Sequence, residues 1–276
     1  VWKDGELDLK PTQRQLQQER GYDRVTEAQM RKMVANYYGN ISLVDDQVGR
    51  VLDVLAQRGL DRNTLIGFTS DHGDHLGDHR LLLKSGVTFY DGSVRVPFLV
   101  CYPEAFPAGV VCEDLVESID LAPTFLEVAG LPVPETMQGR SLVGLVEGAI
   151  ADWRDDAFCE IDLRLNPRMH GPNDPGSRDY VAMICTRRWK YVHFPTLGIG
   201  ELYDLEHDPH ELDNLFYDPA YAGRVAEMRL RLLDRTMRNQ RPYIGARVET
   251  FGEFYDAEHR PPGGSLPGVK YASPEA

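Results

Sequence analysis

The 276-residue chain is 42% hydrophobic and carries a formal charge of −13, enough apolar material for a sizeable core in a soluble globular protein. No run reaches the roughly eighteen apolar residues of a membrane-spanning helix. The acidic balance argues against nonspecific binding to nucleic-acid phosphates, and an anionic substrate needs a local cluster of positive charge to overcome it.

Residues 1–21 are polar and glutamine-rich without a secretory h-region, so cytoplasm and periplasm both stay open as locations. The chain starts at Val1, and we expect a processed product or a fragment whose upstream part lies elsewhere. Thr26 is placed to cap a long helix in which Met30, Met33, Val34, Tyr37, Ile41, Val44, Val48, Val51, Leu52 and Leu55 recur at threes and fours. That stripe marks the helix as core scaffold, with Gly59 as its stop and the Asp45-Asp46 pair solvated or capping.

Residues 64–69 form a short apolar run that reads as a buried strand and completes a helix-to-strand unit of the α/β kind. The strand feeds the most chemically loaded stretch of the chain. Three of the eight histidines (His72, His75, His79) and three aspartates (Asp71, Asp74, Asp78) lie between positions 71 and 79, and Lys84 closes the segment. In open α/β sheets, ligands gather beyond the carboxyl ends of the strands. Asp71 and His72 are adjacent, so a carboxylate oxygen and an imidazole nitrogen can converge on one divalent cation. Gly73 and Gly77 let the loop bend, and Lys84 can hold an anionic group beside the metal. His75, Asp78 and His79 are given structural roles rather than ligating ones.

A second strand is predicted over residues 96–101, with Pro97 at its start or on an edge, and Arg95 is expected in a structural ion pair. Cys101-Tyr102-Pro103-Glu104-Ala105 has the C-x-P order of a nucleophile motif. It ends a strand, however, and Ala105 stands where such a motif needs arginine, so Cys101 is given no catalytic role. Cys101, Cys112, Cys159 and Cys185 lack C-x-x-C spacing and read as reduced packing residues. Residues 117–130 form a helix with Pro123 near its first turn and Gly130 at its end.

A shift in composition near residues 148–153 marks a boundary. Beyond it, residues 157–161, 180–185, 189–194 and 201–205 predict a small antiparallel sheet, with Arg187-Arg188 as a tight turn. The loop of residues 162–179 is long enough to be disordered or a lid, and its Arg168 and His170 are read as flexible surface residues. A helix over residues 221–239 turns Val225, Met228, Leu232 and Leu233 toward the sheet. The chain thus divides into residues 1–148, a large core portion; 149–240, a small α+β subdomain; and 241–276, an extended arm. That arm packs on this chain or on a partner, as in a homo-oligomer, with a disordered tail as the alternative.

In ordered succession from about Met30 to Leu215, several short motifs resemble the C-terminal part of the sulfatase family, in the alkaline-phosphatase-like superfamily. They are Tyr37-Tyr38, Val44-Asp45 and Val48-Gly49; Thr69-Ser70-Asp71-His72-Gly73; Leu76-Gly77-Asp78-His79; Lys84; Tyr90-Asp91-Gly92-Ser93-Val94-Arg95-Val96-Pro97; Asp120-Leu121-Ala122-Pro123-Thr124; and Glu201-Leu202-Tyr203-Asp204-Leu205. The resemblance implies an α/β fold: the C-terminal portion of a sandwich with a mixed sheet flanked by helices, plus an antiparallel-sheet-and-helix subdomain. It implies that Asp71 and His72 bind one divalent cation, calcium first, with manganese or magnesium as alternatives. Lys84, thirteen positions beyond Asp71 (84 − 71), is implied to contact the charged oxygens of a small anionic ester. The implied reaction is metal-dependent hydrolysis of sulfate esters, with a formylglycine nucleophile carried by an N-terminal half not found in these residues. A phosphonate monoester or phosphodiester hydrolase, or a noncatalytic fragment, is the alternative.

Overall fold

The long helix starts where Thr26 and Gln29 close a capping box: the Thr26 hydroxyl accepts from the Gln29 backbone N–H at 3.3 Å, and the Gln29 side chain accepts from the Thr26 N–H at 2.9 Å. The computed structural model describes residues 17, 18, 21–84, 88–162 and 180–239. In it this helix, α1, is Glu27–Gln57, and Gly59 leaves it at a left-handed φ of 65°. Contrary to the expected core scaffold, no α1 residue is buried. Met30, Met33, Val34 and Tyr37 are half-buried, whereas Tyr38, Ile41, Val44, Val51 and Leu52 are exposed. The apolar stripe is real, but among the described residues nothing covers most of it.

Strands β1 (Ile66–Thr69) and β2 (Phe98–Cys101) pair antiparallel, with Ile66 opposite Cys101 and Thr69 opposite Phe98. The strand predicted as buried is covered on one face only. Gly67 backs onto Phe125 of helix α3 (Leu121–Val128), whose ring lies 3.1 Å from a β-carbon placed on that glycine. Phe68 and its opposite neighbour Leu99 point the other way, because strand side chains alternate, and both are exposed. Between β1 and β2 lies a single helical turn, α2 (Asp91–Val94). Another, α4 (Val143–Val146), follows α3.

The remaining strands form one antiparallel sheet in sequence order: β3 (Asp156–Asp162), β4 (Tyr180–Thr186), β5 (Trp189–Phe194) and β6 (Ile199–Asp204). Its central strands are almost continuously apolar because both faces are covered. Ala182, Ile184, Trp189, Tyr191 and Leu202 pack against Val225, Met228 and Leu232 of helix α5 (Ala222–Asn239). On the other face Val181, Met183, Val192 and Phe194 pack with Phe89, just before α2. Leu233, about 100° round the helix from Leu232, is exposed rather than packed on the sheet.

All four cysteines are free. The expected packing role holds for half-buried Cys159 and Cys185; Cys101 and Cys112 are exposed. Burial pushes the Cys185 thiol up to about 11. Contacts group the chain as far as Thr236 into one compact unit. No described helix is long and apolar enough to cross a membrane. Arg168, His170 and the 241–276 arm lie outside the described residues.

Candidate active site

Beyond β1 the backbone turns at Ser70, whose hydroxyl donates to the His72 carbonyl at 2.8 Å. The turn throws Asp71 and His72 to the same side: Asp71 Oδ2 lies 3.3 Å from His72 Nε2. Lys84 returns to this point from twelve residues on, with Nζ 2.5 Å from His72 Nε2. Slight desolvation works to raise the Asp71 carboxyl, but the His72 charge, the His72 and Asp71 backbone N–H groups and Lys84 outweigh it and hold the carboxyl below its usual range. The three residues singled out in the sequence are therefore brought together.

Asp74 braces the arrangement. Its Oδ1 accepts the Lys84 backbone N–H at 2.8 Å, fixing where the lysine leaves the loop. It also faces α1: burial first, then the charge of Asp74 and a hydrogen bond to it, raise the Tyr37 hydroxyl. Sequence reasoning did not single out Asp74, although its place between Asp71 and His75 was a signal.

Gly73 lies against α2. Its N–H donates to the Ser93 carbonyl at 2.8 Å, and a β-carbon on it would stand 2.2 Å from the Gly92 carbonyl oxygen, so only glycine fits. The next turn folds back on itself through Leu76 N–H to Leu82 O (3.0 Å) and Gly77 N–H to Leu81 O (2.7 Å). Leu76, His79 and Arg80 there take left-handed φ values of 49°, 52° and 56°. His79 is buried and stacked on Tyr90 at 3.6 Å between ring centroids, and His75 Nε2 meets the Thr88 hydroxyl at 2.9 Å. Arg95 pairs loosely with Asp91 at 3.5 Å.

The donor set suits a divalent cation. His72 Nδ1 sits 3.0 Å from the Gly73 carbonyl, an arrangement that places the ring proton there and turns the Nε2 lone pair toward the Asp71 carboxylate and the Lys84 ammonium, so a cation bound at Nε2 displaces the 2.5 Å contact with Lys84. One carboxylate and one imidazole do not complete a coordination shell, so further donors must come from outside this pair. A denser cluster, Asp204, Glu206 and His207, was not foreseen. Arg188 already occupies it, contacting Asp204 at 2.8 Å and Glu206 at 3.1 Å, while His207 leans on Asp204 at 3.1 Å. A guanidinium in that position competes with any cation.

Two family models match the chain: "Sulfatase" over residues 9–131, and "N-sulphoglucosamine sulphohydrolase, C-terminal" over residues 77–238. The chain belongs to the sulfatase family. This sulfatase chain is 39% identical over 227 residues to the multifunctional alkaline phosphatase superfamily protein PehA of Trinickia caryophylli, covering 78% of the chain and 44% of that protein. It is 35% identical over 203 residues to an arylsulfatase of Clostridium perfringens, covering 72% and 39%. Among solved structures it resembles the phosphonate monoester hydrolase of Agrobacterium radiobacter with a TM-score of 0.68 and 36% identity, covering 78% and 43%. The sulfatase chain thus spans less than half the length of these relatives. Membership of the family implies a divalent metal.

Proposed function

We propose that the chain contributes Asp71, His72 and Lys84 to the active site of a metal-dependent hydrolase of sulfate esters. The observation that carries this reading is the meeting of the three side chains at His72 Nε2, with Lys84 Nζ at 2.5 Å and Asp71 Oδ2 at 3.3 Å. Asp71 and His72 would hold the cation, which would supply Lewis-acid polarisation of the ester oxygens. Lys84 would set a second positive charge beside it, facing the charged ester oxygens and the negative charge that develops on the leaving-group oxygen as its bond to sulfur breaks. This local charge answers the chain's overall acidity. Calcium is our first candidate, with manganese and magnesium next, since an oxygen-and-imidazole set accepts all three. Within this reading, residues 1–148 carry the site, 149–240 form the smaller subdomain and 241–276 the arm.

A phosphonate monoester hydrolase is the second reading, supported by the 36% identity to an enzyme of that name. The test is hydrolysis of 4-nitrophenyl sulfate and of a phenyl phosphonate monoester by the longest natural polypeptide that contains this chain. Sulfate turnover that disappears on chelation and in Asp71→Ala is the expected result. Phosphonate turnover without sulfate turnover replaces the first reading by the second, and turnover that survives Asp71→Ala removes Asp71 from the site.

A further inference from the structure

We propose that Lys190, on β5, is a positioning residue for the Asp71–His72 loop, acting through the backbone around α2; the proposal rests on reading that loop as the cation site. Strand alternation puts Lys190 on the same face as Val192 and Phe194, the face that packs with Phe89. It is a lysine amid apolar side chains and only 1% exposed. A buried ammonium persists only if its donors are all matched. Here Nζ donates to the Phe89 carbonyl at 3.1 Å and to the Asp91 carboxylate, and it pairs as an ion with Glu211 Oε1 at 2.6 Å. Burial opposes the charge, but Glu211 and Asp91 outweigh it and keep Lys190 protonated.

These three acceptors all lead to one place. Phe89 and Asp91 flank Tyr90 at the start of α2, and Glu211 closes the ring because its Oε2 accepts the Asp91 backbone N–H at 2.7 Å. One ammonium therefore fixes a carbonyl, a side chain and, through Glu211, the amide of the first α2 residue. The next two residues are the ones Gly73 rests on: the Gly92 carbonyl fills the space a side chain would need, and the Ser93 carbonyl accepts the Gly73 N–H at 2.8 Å. Gly73 in turn presents its carbonyl 3.0 Å from His72 Nδ1, the contact that orients the ring. A hydrophobic residue of similar volume at 190 fills the space but holds none of the three acceptors.

The readout is amide hydrogen exchange of Gly73 in the longest natural polypeptide that contains this chain. Lys190→Met strands the buried Glu211 carboxylate and the half-buried Asp91 carboxylate, so the decisive variant is Lys190→Met/Asp91→Asn/Glu211→Gln, which removes all three charges together. Expected is preserved protection in β4 and β5 with Gly73 exchanging at least about tenfold faster, while Val192→Ala on the same face leaves Gly73 within about twofold of the parent. Gly73 exchange unchanged in the triple variant, or equally accelerated by Val192→Ala, overturns the proposal. If the triple variant loses β4–β5 protection, Glu211→Gln alone decides by the same criterion. A calcium titration on the same samples separates the two claims. Faster Gly73 exchange in the triple variant together with a parent that binds no calcium sinks the cation-site reading alone; unchanged exchange in the triple variant together with a parent that binds calcium sinks the positioning role alone.

Discussion

Arg154→Met is expected to cost the fold about 3 kcal/mol, the low end of what removing one partner of a buried ion pair costs. Arg154 reaches Asp120 through both Nη atoms, at 2.8 and 2.6 Å, and Glu117 at 3.0 Å, with all three side chains almost fully buried. Without the guanidinium, Asp120 keeps the Glu117 and Arg140 backbone N–H groups, each at 2.8 Å. Glu117 keeps Arg235 at 2.8 Å and the Phe158 N–H at 2.7 Å. Those surviving donors place the estimate at the low end. The pH dependence has a definite sign. Burial already pushes the Glu117 carboxyl above its ordinary 4.5 in spite of Arg154 and Arg235, and losing Arg154 pushes it further. A folded state that binds the proton more tightly than the unfolded one loses stability as pH rises from the unfolded value through the folded one. The deficit of the variant should therefore be larger at pH 8 than at pH 5. Urea denaturation at both pH values, followed by tryptophan fluorescence, measures it. A loss below about 1 kcal/mol, or a deficit that shrinks with rising pH, refutes the reasoning.

Gly73→Ala forces a methyl group against the Gly92 carbonyl, and a loss of about 1–3 kcal/mol in the same urea assay is expected; a neutral result would show that the loop moves away freely. Lys84 is exposed, so Lys84→Ala should lower kcat of the active polypeptide about a hundredfold while leaving stability within about 0.5 kcal/mol. Equal activity removes Lys84 from the site. The folded value of Lys190 lies above its ordinary 10.5, so its contribution is complete below that pH and is lost as pH rises through the folded value. Circular dichroism across that alkaline range should show an unfolding slope that the charge-free triple variant lacks.

Local chemistry was legible in the sequence. The Thr26 cap, the Gly59 stop and the Arg187-Arg188 turn depend on residues within a few positions of one another, and the structure has them where they were read. The strands of the small sheet were found to within a residue or two because β-rich apolar runs stood between turn formers. Asp71 and His72 were legible because adjacency alone lets them converge. What escaped were partners far apart in the chain: Lys190 and Asp91 are separated by 99 positions, and Asp120 and Arg154 by 34. A periodic stripe says that a helix has an apolar side, but not what covers it, and this is why α1 was taken for core. The same holds for β1, where alternation was hidden by Gly67 and the exposed face went unread.

The three left-handed residues of the Leu76–Arg80 turn have a consequence for anyone who would move this motif. Each non-glycine residue in that conformation costs about 1–2 kcal/mol, so the turn holds its shape because Tyr90 stacks on His79 and the Leu81 and Leu82 carbonyls tie it back. Copied into another scaffold without Tyr90 and the α2 backbone, the same string of letters would relax into an ordinary extended loop. The recognisable signature of the site is thus a property of its surroundings as much as of its own residues, and it is not portable.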